Sequence, residues 1–212
     1  MKRLVAYGWA LAILQAVALL FAQPAFAKDR LVLAFGDSLT AGYGLKPNES
    51  FPAQLQAALI KGGIPARVHN AGVSGDTSAA GRGRLAFVLA GLKAKPDLVI
   101  LELGANDMLR GLKPDQTRAN LDAILGELRK RRIPVIVAGM RASPNLGKPY
   151  QAQFDPIFAS LAKKHGARLY PFFMNGVTPN RSLLIADQMH PNAKGVAIIV
   201  KGIYPLVAAA LR

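Results

Sequence analysis

The strongest restriction on the fold is a strict alternation of short apolar runs with longer helical patterns. Apolar runs rich in Leu, Ile and Val occupy residues 31–35, 66–70, 97–103, 134–139 and 167–172, and helical patterns occupy residues 51–61, 78–92, 117–131, 151–164 and 192–211. The runs are nearly continuous in apolarity, the pattern of strands covered on both faces. Successive strands joined through a helix lie parallel, because a parallel pair needs a long crossover, and such crossovers are right-handed. The expected fold is therefore α/β: a three-layer, doubly wound, five-stranded parallel sheet in the flavodoxin-like order 2-1-3-4-5. No internal repeat, low-complexity tract or linker interrupts the alternation, so residues 28–212 are expected to form one domain.

Residues 1–27 do not fit this alternation. Lys2 and Arg3 precede an apolar stretch over residues 4–22, and Ala25, Phe26 and Ala27 supply a small-x-small site. Basic, apolar and A-x-A segments in that order read as a secretory signal peptide. An uncleaved anchor is the alternative, since the apolar stretch is long, but Pro24 and the Ala-Phe-Ala site favour cleavage after Ala27. The mature chain is then exported, to the periplasm or as a secreted protein. No later stretch reads as long and apolar enough to span a bilayer. Cysteine is absent, which removes disulfides and thiolate metal sites. An exported domain without disulfides relies on its core, and the 51% hydrophobic composition permits that. The formal charge of +15 becomes +13 without Lys2 and Arg3, an excess that raises the question of nucleic acid. The cations are scattered, however, and the densest run, residues 129–132, closes a helical pattern where positive charge complements the helix C-terminus. Scatter and export argue against nucleic acid and leave transient contact with an anionic membrane surface as the macromolecular interaction the charge allows. The sequence does not reveal an oligomeric state.

In an open parallel sheet, sites lie beyond the C-terminal ends of the strands. The loops there read "GDSLTAGYG", "AGVSGDTS", "GANDMLRG", "MRASPNLGKP" and "NGVTPNRSLLIADQMHPNAKG". Ser38 follows the first strand, where a hydroxyl is either a turn serine or a nucleophile. A nucleophile needs a base, a group that orients the base, and donors for an oxyanion. His165, in "KKHGA", ends a helical pattern, where it can interact with terminal carbonyls, and His69 reads as a satisfied strand-end residue. His190 stands in the last long loop, three residues after Asp187. Wound into one turn, that spacing brings the carboxylate to Nδ1 and leaves Nε2 outward as an acceptor; the same residues also read as a helix cap before Pro191. Gly75, in "VSGDT", lacks a Cβ and offers a backbone N–H where a loop enters a helix capped by Asp76 or Thr77. Asn106, in "GAND", is either an amide donor or a turn former. Taken singly, each reading stays open.

Together, "GDSL", "SGDT", "GAND" and "DQMH" resemble, in order and spacing, the four blocks of the SGNH hydrolases, the GDSL esterase/lipase family. The resemblance spans nearly all of residues 31–211. It is nearest to the bacterial periplasmic branch of arylesterases and multifunctional acyl-CoA thioesterase/lysophospholipases, which "NAGVSGDTSAAGRGRL", "LELGANDMLRGL", "PFFM" and "HPNAKG" also resemble. It implies Ser38 as nucleophile, His190 as base and Asp187 as its orienting carboxylate. The backbone N–H groups of Ser38 and Gly75, with the Asn106 side chain, are implied as the oxyanion hole. The implied reaction is hydrolysis of carboxylic esters or thioesters through an acyl-enzyme, without metal or organic cofactor.

Two rivals follow from the same residues. A carbohydrate O-deacetylase shares the triad but needs a polar cleft, whereas Met108, Leu109, Leu112 and Leu146 suggest an acyl or aryl group near the site. A flavodoxin-like binding module would use the glycine loops to cradle a phosphate, although G-x-x-x-x-G-K-[ST] is absent.

Overall fold

The computed structural model describes residues 29–178 and 180–212, so the expected signal peptide lies outside the described residues. Strands β1 (Arg30–Gly36), β2 (Ala66–Gly72), β3 (Leu98–Glu102), β4 (Val135–Ala138) and β5 (Arg168–Tyr170) pair in parallel in the order β2-β1-β3-β4-β5. The helices are α1 (Ser38–Ala41), α2 (Phe51–Lys61), α3 (Ser78–Gly91), α4 (Ala105–Leu109), α5 (Pro114–Lys130), α6 (Lys148–Phe154), α7 (Pro156–His165) and α8 (Ala193–Leu211). The step from β1 to β2 runs one way across the sheet, and every later step runs the other way. Right-handed crossovers therefore put α2 on one face and α3, α5 and α7 on the opposite face. α8 packs beside α2, while α5 packs between α3 and α7.

The middle strands are sealed from water on both faces: Val32, Leu33, Ala34 and Phe35 of β1 and all five residues of β3 are buried. Burying side chains as large as Phe35, Leu98 and Ile100 contributes roughly 1.5–3 kcal/mol each. β2 departs from the expected two-sided burial. It is an edge strand in which Ala66, Val68 and Ala71 point inward while Arg67, His69 and Asn70 are exposed. His69 is therefore a solvent-facing residue, not a satisfied strand-end histidine.

Three further expectations are corrected. The helical pattern at 151–164 is two helices, because Pro156 lacks the N–H of the i→i−4 ladder and its ring clashes with the carbonyl four residues back. α5 begins at Pro114, whose fixed φ suits a first helical position, not at residue 117. α8 is long and apolar enough to cross a membrane, contrary to the sequence reading. Its Val196, Ile199, Val200, Ile203, Val207 and Leu211 form a stripe at helical spacing that is buried in the core.

Gly36 pairs with both Gly72 and Glu102, so β2, β1 and β3 end at one level. The strand order reverses between β1 and β3, and the crevice beyond their ends is where an open α/β sheet binds ligands.

Candidate active site

The site begins where β1 stops. Asp37 is the N-cap of α1, and its Oδ1 accepts from the Leu39 N–H at 3.0 Å. Ser38 is the first residue of that helix, and Gly42, in the left-handed region at φ 86°, ends it one turn later. The chain thus turns sharply from strand to helix with Leu39 and Thr40 buried beneath. Close packing demands glycine on both sides of this turn. A Cβ at Gly36 would lie 2.1 Å from Thr40 Oγ1, and one at Gly72 would lie 2.2 Å from the Ala41 nitrogen.

Ser38 Oγ is 2.8 Å from His190 Nε2, and His190 Nδ1 is 2.6 Å from Asp187 Oδ2. A carboxylate can only accept, so the imidazole proton sits on Nδ1 and Nε2 accepts from the serine hydroxyl. Asp187 Oδ1 also accepts the N–H groups of Met189 at 2.9 Å and His190 at 3.0 Å, which winds residues 187–190 into one turn. Desolvation raises the Asp187 pKa, but the hydrogen bonds from those N–H groups and the charge and hydrogen bond of His190 outweigh it, and the net direction is below the ordinary carboxylate value. The His190 carbonyl accepts from the Ile185 N–H at 2.9 Å, and Leu184 bridges Pro191. Asn192 then caps α8 through the N–H groups of Lys194 and Gly195. Cap and triad geometry therefore coexist: Asn192 serves the helix, which leaves Asp187 for His190. The Tyr43 ring packs on the imidazole with centroids 4.7 Å apart.

The residues expected to donate to an oxyanion are Ser38, Gly75 and Asn106. Among the described residues, the N–H groups of Ser38 and Gly75 donate to no protein acceptor. For Ser38 this is the ordinary orphan state of a first helical N–H. Gly75 has φ 86°, and its carbonyl is turned away to accept from Arg110 Nη2 at 2.8 Å. Asn106, in the first turn of α4, donates from Nδ2 to Asp37 Oδ2 at 3.1 Å and to the Asp76 carbonyl at 3.0 Å. One amide therefore ties the residue before Ser38 to the residue after Gly75. Both of its hydrogens are engaged at rest, so donating to an oxyanion requires that one of these acceptors be shared or released.

All five residues singled out in the sequence, Ser38, Gly75, Asn106, Asp187 and His190, thus meet in the crevice beyond β1 and β3. The apolar neighbours divide differently: Met108 is buried, with its sulfur 3.4 Å from the Ser143 N–H, whereas Leu109 is exposed. Tyr43, Val73 and Met189 are also exposed apolar residues on loops carrying the site. His165 ends α7 just before β5, bound through Nε2 to Asp122 Oδ1 at 2.6 Å and not to helix carbonyls.

Sequence reasoning missed Asp37, Tyr43 and Glu102. An aspartate directly before the first residue of a helix is an N-cap signal. Glu102 is an acid inside the apolar run "LVILELG", and a charge in a doubly covered strand is anomalous enough to flag.

The sequence profile of the GDSL-like lipase/acylhydrolase family matches residues 34–198. Esterase TesA of Pseudomonas aeruginosa is 37% identical over 186 residues, covering 88% of this chain and 90% of that protein. Thioesterase 1/protease 1/lysophospholipase L1 of Escherichia coli is 36% identical over 205 residues, covering 95% of each. Among solved structures, the SGNH-hydrolase family esterase AlinE4 superposes with a TM-score of 0.76 at 52% identity, covering 89% of this chain and all of that one. Two further structures of AlinE4 each carry an alanine, one in place of a serine and one in place of an aspartate.

Proposed function

The chain belongs to the GDSL-like lipase/acylhydrolase family and is a serine ester hydrolase acting on small-molecule esters; we propose that it works through an acyl-enzyme on Ser38. The observation that carries this reading is the chain of contacts Ser38 Oγ, His190 Nε2, His190 Nδ1, Asp187 Oδ2, at 2.8 and 2.6 Å. The serine and aspartate replaced in the two AlinE4 variants stand the same number of positions apart as Ser38 and Asp187, which supports the same pairing of roles.

Ser38 Oγ attacks the carbonyl carbon as His190 Nε2 takes its proton, and Asp187 stabilises the imidazolium that results. The Ser38 and Gly75 N–H groups and the Asn106 amide stabilise the negative oxygen of the tetrahedral intermediate. His190 returns the proton to the departing alcohol or thiol. Water then attacks the acyl carbon as it gives a proton to His190, and His190 passes that proton to Ser38 Oγ as the acid departs.

The substrate class proposed is aryl esters, acyl-CoA thioesters and lysophospholipids, supported by the names of the relatives and by the exposed apolar residues Tyr43, Val73 and Met189 on loops and Leu109 on α4. We also propose that residues 1–27 direct export and are removed, leaving residues 28–212 as one hydrolase domain in the periplasm. Anionic lipid, attracted by the net positive charge, is the proposed transient contact surface. The test is a p-nitrophenyl ester chain-length series on purified protein, beside a lysophospholipid, an acyl-CoA and an acetylated glycan. Turnover of the acyl and aryl substrates is expected. Turnover of the glycan alone would overturn the substrate class in favour of deacetylation.

A further inference from the structure

Beneath the Ser38 turn lie two acids, and neither belongs to the triad. Asp37 and Glu102 are both fully buried. Glu102 Oε2 accepts from Thr40 Oγ1 at 2.8 Å and from the Asp37 N–H at 3.3 Å, whereas Glu102 Oε1 is buried without a donor. Asp37 has two donors of its own, the Leu39 N–H on Oδ1 and the Asn106 amide on Oδ2. The bond from the Asp37 N–H to Glu102 Oε2 sets the two residues side by side.

Charge around the pair does not compensate two anions. Among the described residues, neither acid forms a salt bridge. The nearby guanidinium of Arg84 is spent on Asp76 at 2.6 Å and on the Gly36 carbonyl at 2.9 Å, and it lies over the Phe35 ring. His190 acts on Asp37 from the 187–190 turn, and Asp107 of α4 is occupied by Ser78 and Thr117. Two buried carboxylates side by side, one with an orphaned oxygen, would be strongly unfavourable, and the cost falls when one of them keeps its proton.

We propose that Glu102 keeps its proton at neutral pH and donates it from Oε1 to the Asp37 carboxylate, making Glu102 a positioning residue for the Ser38 turn and for Asn106. The orphaned oxygen then becomes a donor, and every polar atom of the pair is satisfied. Asp37 in turn aligns both ends of the site: its N–H and Oδ1 fix the turn that presents Ser38, and its Oδ2 holds the Asn106 amide. Burial pushes both acids up, Glu102 further because Asp37 adds like charge beside it, which agrees with the proton residing on Glu102. The role rests on the hydrolase reading above, but the protonation itself does not.

The test pairs Glu102→Gln with Glu102→Ala. Glutamine places an NH₂ donor toward Asp37 and a carbonyl acceptor toward Thr40, so its kcat is expected within about threefold of wild type. Alanine leaves Asp37 and Thr40 without their partner, and kcat per folded molecule is expected to fall on the order of tenfold to a hundredfold. Infrared spectroscopy at neutral pH, in water and in D₂O, reads the proton directly. Wild type is expected to show the carbonyl stretch of a protonated carboxyl group, shifted in D₂O and missing from Glu102→Gln. No such band in wild type, a band that survives in Glu102→Gln, or a glutamine variant as impaired as the alanine one would overturn the proposal. The infrared result stands even if Glu102→Ala does not fold. Ester hydrolysis that survives in Ser38→Ala would instead overturn the acyl-enzyme on Ser38 and leave the infrared result intact.

Discussion

Replacing Asn106 with alanine separates the tie this side chain makes in the structure from the oxyanion role proposed for it. The substitution deletes the amide bonds to Asp37 Oδ2 at 3.1 Å and to the Asp76 carbonyl at 3.0 Å. An acceptor left unsatisfied in a protein interior costs roughly 1–3 kcal/mol. This site is only partly buried, so water recovers some of that, and about 1–3 kcal/mol for the two bonds together is expected. For a chain of this length that corresponds to a fall in Tm of about 2–12 °C. If the amide also donates to the oxyanion, its bond strengthens as charge develops, and kcat should fall by roughly 100- to 1,000-fold, about 2.7–4 kcal/mol. KM should change little, because the interaction is made chiefly in the transition state. The assay is kcat and KM on a short p-nitrophenyl ester, well below the variant's Tm, with thermal unfolding of both proteins measured in parallel. A lower Tm with a normal kcat per folded molecule would reduce Asn106 to a tie between loops and leave Ser38 and Gly75 as the only donors.

Ser38→Ala and His190→Ala should each abolish most ester hydrolysis, and the double variant should be little worse than either, because the two groups share one proton transfer; losses that multiply would contradict this. Gly36→Ala would place a Cβ 2.6 Å from Glu102 Oε2 and closer still to Thr40 Oγ1, so a destabilisation of about 1–3 kcal/mol is expected, read by thermal unfolding. Hydrogen bonds from Lys164 and then His165 hold the Asp122 carboxyl below its ordinary value. A depressed carboxylate stabilises above its unfolded pKa, and that contribution disappears as pH falls through the folded value. Denaturant midpoints should therefore show wild type more stable than Asp122→Asn near neutrality, by no more than about 1 kcal/mol at this exposed pair, with the gap closing in strong acid.

The sheet was legible because its strands are buried on both faces and so read as unbroken apolar runs. The edge strands differ: in β2 an edge position restores alternation that only the strand order explains, and in β5 Arg168 is exposed and Leu169 half-buried. The break at Pro156 was available from the sequence, since a helix interior rarely tolerates proline. The short helices were not, because four or five residues are too few for periodicity to register: α1 is held by the Asp37 cap and the Gly42 terminus, not by an amphipathic face. The fold placed Ser38, Asp187 and His190 on loops at one end of the sheet, but it was the resemblance of the four sequence blocks to the SGNH hydrolases that joined them into a set. The acid pair was invisible for the opposite reason. Asp37 and Glu102 are far apart in the chain, and only the register that levels Gly36 with Glu102 brings the two carboxyls together.

The account rests most heavily on Ser38 as the atom that takes the acyl group. Wild type, Ser38→Ala and His190→Ala should be treated with a fluorophosphonate, followed by intact mass measurement and peptide mapping. The expected result is one adduct per wild-type chain, on Ser38, formed as ester hydrolysis is lost, with none in Ser38→Ala and much slower labelling in His190→Ala. An adduct on another residue, or inhibition in step with labelling elsewhere while Ser38 stays free, would contradict the assignment of Ser38 as the nucleophile.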